Sequence, residues 1–252
     1  MTKYTHILIT GATSGIGEAL AVFYANKGIR LSLCGRNSER LADIADRCRT
    51  KGAQVEAEII DVTEAKKVEE WINKCHQEQP LNLVYANAGV ATTQEISENI
   101  RRTFETNVMG VVNTVLPVLD LFRQMPQDFE KHIVIIASIA GYHGLPACPS
   151  YSASKAGVKA WGEALRLHHK KDGIKVSTVC PGFVRSRITD KNTCPMPFFM
   201  EADKAAEIIA SRVEKNIGLI TFPWPMRFVT WVGSILPNCI SDFIYERMPY
   251  KV

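Results

Sequence analysis

The hydrophobic and polar positions of this chain form short apolar runs separated by longer amphipathic stretches. Short β-branched runs bounded by glycine or polar residues are typical of buried parallel strands. Such runs fall at residues 6–10, 30–34, 54–60, 82–86, 132–137, 175–180 and 219–222. Between them, apolar positions recur at helical spacing. The predicted helices cover residues 15–26, 39–51 and 201–215, and others begin at residues 64, 100 and 150.

Strands that alternate with helices imply parallel pairing through right-handed crossovers. We therefore predict an α/β fold, a doubly wound Rossmann-type parallel sheet of about seven strands with helices on both faces. No linker, repeat or low-complexity segment interrupts the pattern, so residues 1–252 are predicted to form a single domain.

Composition and charge exclude several classes of protein. The net charge of +4 is mild, and the Lys and Arg residues are scattered, so no nucleic-acid partner is expected. The cysteines number seven and are widely spaced, which favours reduced thiols and gives no metal site. The first apolar run is too short for a signal peptide, so we predict a cytoplasmic protein.

The turn after the first predicted strand is the first candidate for chemistry. It reads Thr10-Gly-Ala-Thr-Ser-Gly-Ile-Gly17, and its glycines would let backbone amides approach a pyrophosphate at a helix N-terminus. The spacing differs from G-x-G-x-x-G, and the alternative is a tight turn that merely needs flexible residues. The residues expected to contact a dinucleotide here are Gly11, Thr13, Ser14, Gly15, Ile16 and Gly17.

The end of the second predicted strand indicates which cofactor is bound. A carboxylate there selects the free 2′-hydroxyl of NAD, whereas an arginine accommodates the 2′-phosphate of NADP. This chain has Arg36 and no acid, so NADP(H) is predicted over NAD(H), unless Arg36 only begins the next helix in solvent. Asp61 and Val62, after the third strand, suit an adenine contact, with a plain helix cap by Asp61 as the alternative.

Tyr151 and Lys155 are four residues apart, which places them on one face of a helix. A tyrosine titrates near pH 10, so it exchanges protons at neutral pH only where a cation stabilises its phenolate. Lys155 would be that cation. Taken alone, however, the spacing is common on exposed helices, and its meaning depends on the rest of the chain.

Together these motifs resemble those of the short-chain dehydrogenase/reductase superfamily, and the resemblance covers nearly the whole chain. It implies an oxidoreductase that transfers hydride between nicotinamide and a carbonyl or secondary alcohol, with Tyr151 as general acid and base. Lys155 would then tune the tyrosine, Ser138 would hold the substrate oxygen, and Asn107 would bind a relay water. The alternatives are a helix or turn cap for Ser138 and a structural kink for Asn107. The resemblance also implies cofactor contacts at Asn87, Ala88, Gly89, Tyr151, Lys155, Pro181, Gly182, Val184 and Ser186.

Residues 183–252 are predicted to be a substrate lid and an apolar C-terminal extension of the same domain. Prolines interrupt the apolar stretch 222–237, which therefore cannot span a bilayer. Three interpretations stay open: a cover over an apolar pocket, a subunit contact, and a membrane-surface contact. We expect a small carbonyl or alcohol substrate that is apolar or amphipathic, and the family resemblance implies a homodimer or homotetramer.

Two other functions compete with the reductase. One is a dinucleotide-binding sensor without catalysis, which would have no need of Asn107, Ser138, Tyr151 and Lys155 together. The other is an epimerase or dehydratase with tightly retained NAD, which the glycine turn and the chain length disfavour.

Overall fold

The computed structural model describes residues 2–92, 94–191, 195–237, 239–240 and 243. The strands are β1 (His6–Thr10), β2 (Arg30–Gly35), β3 (Gln54–Ile59), β4 (Leu83–Ala86), β5 (His132–Ile136), β6 (Lys175–Pro181) and β7 (Leu219–Phe222). The helices are α1 (Gly15–Tyr24), α2 (Ser38–Thr50), α3 (Ala65–Glu78), α4 (Ser97–Phe104), α5 (Gly110–Gln124), α6 (Pro149–His168), α7 (Ala202–Glu214) and α8 (Trp224–Ile235).

The strands form one parallel sheet in the order β3-β2-β1-β4-β5-β6-β7. The chain winds outward from β1 to β3 and then returns to add β4 on the other side of β1. The strand order therefore reverses between β1 and β4. In doubly wound sheets, ligands bind outside the carboxyl ends of the strands at such a reversal.

Both faces of the sheet are covered by helices. Successive residues of a strand point to opposite faces, so Ile7 and Ile9 of β1 join the core beneath α1, α2 and α7, whereas Leu8 joins the core beneath α3, α5 and α6. Each of these side chains is fully buried. The predicted fold, a doubly wound parallel sheet with helices on both faces, is confirmed.

Most helix and strand boundaries lie within three residues of the prediction, but two elements were not predicted. A π-helix, Glu105–Met109, connects α4 to α5 and contains Asn107. The apolar stretch after β7 forms α8, with Pro225 in its first turn, where the missing N–H of proline costs nothing. Part of the predicted extension, residues 192–194, 238, 241–242 and 244–252, lies outside the described residues.

Candidate active site

The glycine turn joins the end of β1 to α1 and leaves no room for a side chain at Gly11, Gly15 or Gly17. Gly11 and Gly15 have positive φ angles of 67° and 58°, which L side chains rarely adopt. A Cβ on Gly17 would lie 2.4 Å from both the Asn87 Nδ2 atom and the Gly11 carbonyl oxygen. The turn is thus a bare backbone surface at the N-terminus of α1, where amides and the helix dipole favour an anion.

Asn87 ties the end of β4 to the end of β1. Its amide nitrogen donates to the carbonyl oxygens of Thr10 (2.9 Å) and Gly11 (3.1 Å). The Thr10 hydroxyl in turn accepts from the backbone N–H groups of Asn87 and Ala88. These bonds hold the two strands at the point where the strand order reverses, which fixes the floor of the cleft.

One end of the cleft is lined by Arg36, Asp61 and Arg40. The Arg36 guanidinium lies 3.3 Å from the Asp61 carboxylate, and both side chains are partly exposed. Burial opposes ionisation of Asp61, but hydrogen bonds from Thr63 and the nearby Arg36 charge hold its pKa below the usual value. Asp61 accepts from the N–H and hydroxyl of Thr63, so it shapes a local turn, while Glu64 is the N-cap residue of α3.

Tyr151 and Lys155 lie on α6, one turn apart, and face the end of β5. The Lys155 ammonium donates to the Ile136 carbonyl oxygen at 2.9 Å and lies 5.9 Å from the centroid of the Tyr151 ring. Burial lowers the pKa of Lys155 to about 8. Burial also raises the pKa of Tyr151 to about 12, while a hydrogen bond with Ser138 acts in the opposite direction. The Tyr151 phenol therefore lies close to both the Ser138 hydroxyl and the Lys155 ammonium, whose pKa is lowered.

Ser138 follows β5 directly. It is 7 % exposed, and its hydroxyl accepts from the Ala140 N–H at 3.1 Å, which caps the 3₁₀ turn Ile139–Gly141. Ser138 therefore caps a turn and also lies close to Tyr151. The capping hydrogen bond orients the Ser138 hydroxyl, which lines the cleft.

Asn107 is fully buried behind the cleft wall. Its amide donates to the Val90 carbonyl oxygen (2.9 Å) and the Ser154 hydroxyl (3.1 Å), and its oxygen accepts from the Val90 N–H at 2.7 Å. A Cβ on Gly89 would lie within 3.4 Å of both the Asn107 oxygen and the Lys155 ammonium. The π-helix brings the Asn107 amide into this position, so the residue is a structural clamp that also faces Lys155.

The segment after β6 forms the opposite wall. The Gly182 N–H donates to the Phe222 carbonyl oxygen at 2.8 Å, and a Cβ on Gly182 would meet Met226 of α8 at 2.9 Å. Ser186 lies against the glycine turn, because a Cβ added to Gly15 would lie 2.7 Å from the Cβ of Ser186. The segment that contains Ser186 therefore packs against the glycine turn.

These walls enclose a cleft of about 590 Å³. All but two of the predicted site residues line it, namely Gly11, Thr13, Ser14, Gly15, Ile16, Arg36, Asp61, Val62, Asn87, Ala88, Gly89, Ser138, Tyr151, Lys155, Pro181, Gly182, Val184 and Ser186. Gly17 and Asn107 lie behind the walls that these residues form. The volume falls within the range of small-molecule and cofactor sites.

The structure places further residues at this site that were not predicted from the sequence, among them Arg40 and Glu95. Arg40 lines the cleft beside Arg36, and its buried Nε atom has no hydrogen-bond partner among the described residues. Arg36 precedes Asn37, the N-cap residue of α2, so no helical spacing in the sequence placed Arg40 beside it. Glu95 accepts hydrogen bonds from Ser150, next to Tyr151. No spacing rule connects those two residues, so their contact could not be read from a motif.

The segment after Gly182 and helix α8 lie at the rim of the cleft beside Pro181 and Gly182. Arg185 pairs with Glu201 at 2.6 Å, and its guanidinium lies over the Phe199 ring. The outer face of α8 exposes an apolar stripe, Trp224, Phe228, Trp231 and Ile235, each more than half exposed. Among the described residues, no helix has the length and apolar content needed to cross a bilayer.

Known proteins resemble this chain in sequence and structure. The family model described as short chain dehydrogenase matches residues 5–195. An uncharacterized oxidoreductase of Myxococcus xanthus (strain DK1622) is 36 % identical over 251 residues, which covers 98 % of either chain.

Solved structures are also similar to this chain. A short-chain dehydrogenase from Sphingobium yanoikuyae in complex with NADPH has a TM-score of 0.79 at 25 % identity, over 97 % of this chain and 96 % of that one. A short chain dehydrogenase from Mycobacterium paratuberculosis bound to NAD shares the fold, with a TM-score of 0.73 at 21 % identity, over 86 % of this chain and 95 % of that one.

Proposed function

We propose that this chain, which belongs to the short-chain dehydrogenase family, is an NADP(H)-dependent oxidoreductase that interconverts a carbonyl group and a secondary alcohol. The observation that carries the proposal is the convergence of Ser138, Tyr151 and Lys155 on a cleft whose other end is lined by Arg36 and Arg40. The first group suits proton transfer, and the second suits a phosphate.

The cleft fits a dinucleotide. The glycine turn offers bare backbone amides for a pyrophosphate, and side chains at Gly11 and Gly17 would collide with neighbouring atoms. Arg36 is partly neutralised by Asp61, whereas the buried Nε of Arg40 has no partner among the described residues. We therefore assign the 2′-phosphate of NADP(H) to Arg36 and Arg40 together. When bound, the nicotinamide supplies or accepts the hydride.

The catalytic roles follow from the positions of the side chains. Tyr151 donates its phenolic proton to the substrate carbonyl oxygen during reduction and accepts it during oxidation. The Lys155 ammonium, fixed by the Ile136 carbonyl oxygen, stabilises the phenolate that forms. The Ser138 hydroxyl donates to the substrate oxygen as negative charge develops there. Asn107 holds Val90 and α6 in place and orients a water beside Lys155.

The substrate would be an apolar or amphipathic ketone. The nicotinamide side of the cleft adjoins α8, whose Met226 packs against Gly182, and the exposed Phe198 lies in the lid. We also retain the prediction of a homodimer or homotetramer.

The proposal is tested by a cofactor and substrate screen. The purified protein is mixed with NADPH or NADH and with panels of aryl, alkyl and cyclic ketones, and absorbance of the reduced nicotinamide is followed. We expect ketone-dependent oxidation of NADPH at least about tenfold faster than that of NADH, which corresponds to a difference of about 1.4 kcal/mol in activation free energy. Oxidation that is absent across all panels with either cofactor would refute the proposal, and equal rates would refute the cofactor preference.

A further inference from the structure

The N-terminus of α6 carries Tyr151 and lacks a cap from its own segment. Pro149 is the first residue of the helix and has no N–H, so the Ser150 N–H is the first backbone donor that needs a partner. The residue at the cap position is Cys148, whose side chain makes no capping hydrogen bond. The free N–H groups at such a helix end need an acceptor, which another part of the chain can supply.

Glu95 supplies that acceptor from 55 residues away in sequence. One of its carboxylate oxygens accepts from the Ser150 N–H at 3.1 Å and from the Ser150 hydroxyl at 2.7 Å. A carboxylate at a helix N-terminus also interacts favourably with the helix dipole. Glu95 therefore does for α6 what a capping residue at position 148 would otherwise do.

The loop that carries Glu95 is itself anchored at both ends. At its start, Val90 is held by two hydrogen bonds with the Asn107 side chain. Near its end, the Gln94 carbonyl oxygen accepts from the Asn99 amide at 3.0 Å. Residues Val90, Ala91 and Thr92 line the cleft between these anchors. Residues 90–92 thus contribute to the cleft wall, and Glu95 contributes to the first turn of α6.

Tyr151 directly follows Ser150, so the first turn of α6 decides where its hydroxyl lies. The next turn is fixed independently, because the Lys155 ammonium donates to the Ile136 carbonyl oxygen. Because the tyrosine side chain is long, a small tilt of the first turn moves its hydroxyl by a larger distance. General acid catalysis needs that hydroxyl within hydrogen-bond reach of the substrate oxygen. The hydrogen bond to Ile136 positions the Lys155 ammonium, and the hydrogen bonds of Glu95 to Ser150 position the Tyr151 phenol.

We propose that Glu95 is a positioning residue for Tyr151, which it holds in register with Ser138 through its two hydrogen bonds to Ser150. This inference rests on the proposed catalytic role of Tyr151. Glu95 does not touch the reacting atoms. Its loss slows the proton-transfer step and leaves NADPH binding in place.

The test compares Glu95→Ala and Glu95→Gln with Glu98→Ala, a control at an exposed glutamate in the first turn of α4. Hydrogen exchange is measured by mass spectrometry on a peptide that spans the first turn of α6, in the cofactor-free protein. Steady-state reduction of 2,2,2-trifluoroacetophenone by NADPH gives kcat, the KM for NADPH and the solvent deuterium isotope effect on kcat.

We expect Glu95→Ala to speed exchange in that peptide, to lower kcat about tenfold and to raise the solvent isotope effect, with the KM for NADPH within about twofold. Glu95→Gln should restore kcat to within about threefold of the wild type, because its amide oxygen still accepts both hydrogen bonds. Glu98→Ala should match the wild type.

The inference fails if Glu95→Ala behaves like Glu98→Ala in exchange or in kcat. It also fails if Glu95→Gln is as slow as Glu95→Ala, because the hydrogen bonds would then not be the cause. A wild type that reduces no ketone defeats the proposed function instead, and the exchange arm alone then decides whether Glu95 holds the turn that carries Tyr151.

Discussion

The chain up to Gly182 and helix α8 after it differ in the surroundings of their side chains. In the first part, the buried polar side chains of Asn107 and Lys155 and the partly buried side chain of Asn87 make specific hydrogen bonds to backbone atoms. In the second part, α8 exposes large apolar side chains, with Trp224 78 % exposed. The first part holds these groups in one geometry, and α8 presents an exposed apolar surface. Under the proposed function, the residues before Gly182 would carry out the chemistry, and the segment after it would determine substrate choice.

Among the effects on stability and cofactor binding, the largest is expected at the glycine turn of the first part. In Gly17→Ala, the added methyl group would lie 2.4 Å from the Asn87 amide and the Gly11 carbonyl oxygen. We predict a loss of about 1–3 kcal/mol in the free energy of unfolding and a large fall in NADPH affinity, measured by denaturant titration and fluorescence. The matched control is Gly157→Ala, also within a helix, where nothing lies within 4 Å of the added methyl. If both variants bind NADPH normally, the turn is not the phosphate site.

The next largest effect is expected on the preference for NADPH over NADH. Arg36→Ala and Arg40→Ala should each raise the Kd for NADPH about tenfold, because each removes a charge-assisted hydrogen bond worth about 1.5–3 kcal/mol. The Kd for NADH should change less than about twofold, since NADH has no 2′-phosphate. Both constants are measured by fluorescence titration. Arg49→Ala, at an exposed arginine on α2, is the control. Parallel losses for NADPH and NADH would contradict the assignment.

The pH dependence of reduction reports on Lys155. Burial lowers the pKa of its ammonium to about 8, whereas the pKa of Tyr151 is raised to about 12. Below pH 8 the cation is present and the phenol holds its proton. Above pH 8 the cation is lost, so kcat/KM for ketone reduction should fall about tenfold per pH unit. Lys159→Met removes a lysine one turn away, 4.6 Å from the Tyr142 ring, and should keep the same profile. A flat wild-type profile up to about pH 10 would exclude this role for Lys155.

The smallest effect is expected on the outer stripe of α8. Trp231 is 54 % exposed, so Trp231→Ser should change the free energy of unfolding by no more than about 0.5 kcal/mol. The Kd for NADPH should stay within about twofold of the wild-type value, whereas the KM for apolar ketones is not constrained by this prediction. Met226→Ala, on the inner side against Gly182, should have the larger effect on turnover. A loss of NADPH binding in Trp231→Ser would remove the distinction between the two parts.

The sequence predicted most where a local spacing has a physical reason. β1 and β7 have the predicted bounds, and the glycine turn and the Tyr151–Lys155 pair lie where strand–turn–helix periodicity places them. The π-helix around Asn107 could not be predicted, because an inserted residue leaves no mark in a pattern of apolar positions. Helix α8 was missed because it is apolar on both its inner and outer faces, which hides the helical period.

Contacts between distant segments were the other gap. Arg40 reaches the cleft only in the folded chain, where its buried Nε has no partner among the described residues. The contact of Glu95 with Ser150 depends on how the loop after β4 crosses toward α6. Tertiary positions of this kind depend on packing, and no single segment encodes them.

The most direct test of the catalytic assignment is the comparison of Tyr151→Phe with the wild type in one assay. Phenylalanine keeps the ring and removes the proton donor, so kcat for ketone reduction by NADPH should fall about 10²–10⁴-fold. NADPH affinity, measured by fluorescence in the same samples, should stay within about twofold of the wild-type value. A Tyr151→Phe enzyme that keeps more than about a tenth of the wild-type kcat would show that another group moves the proton, and the central claim would be wrong.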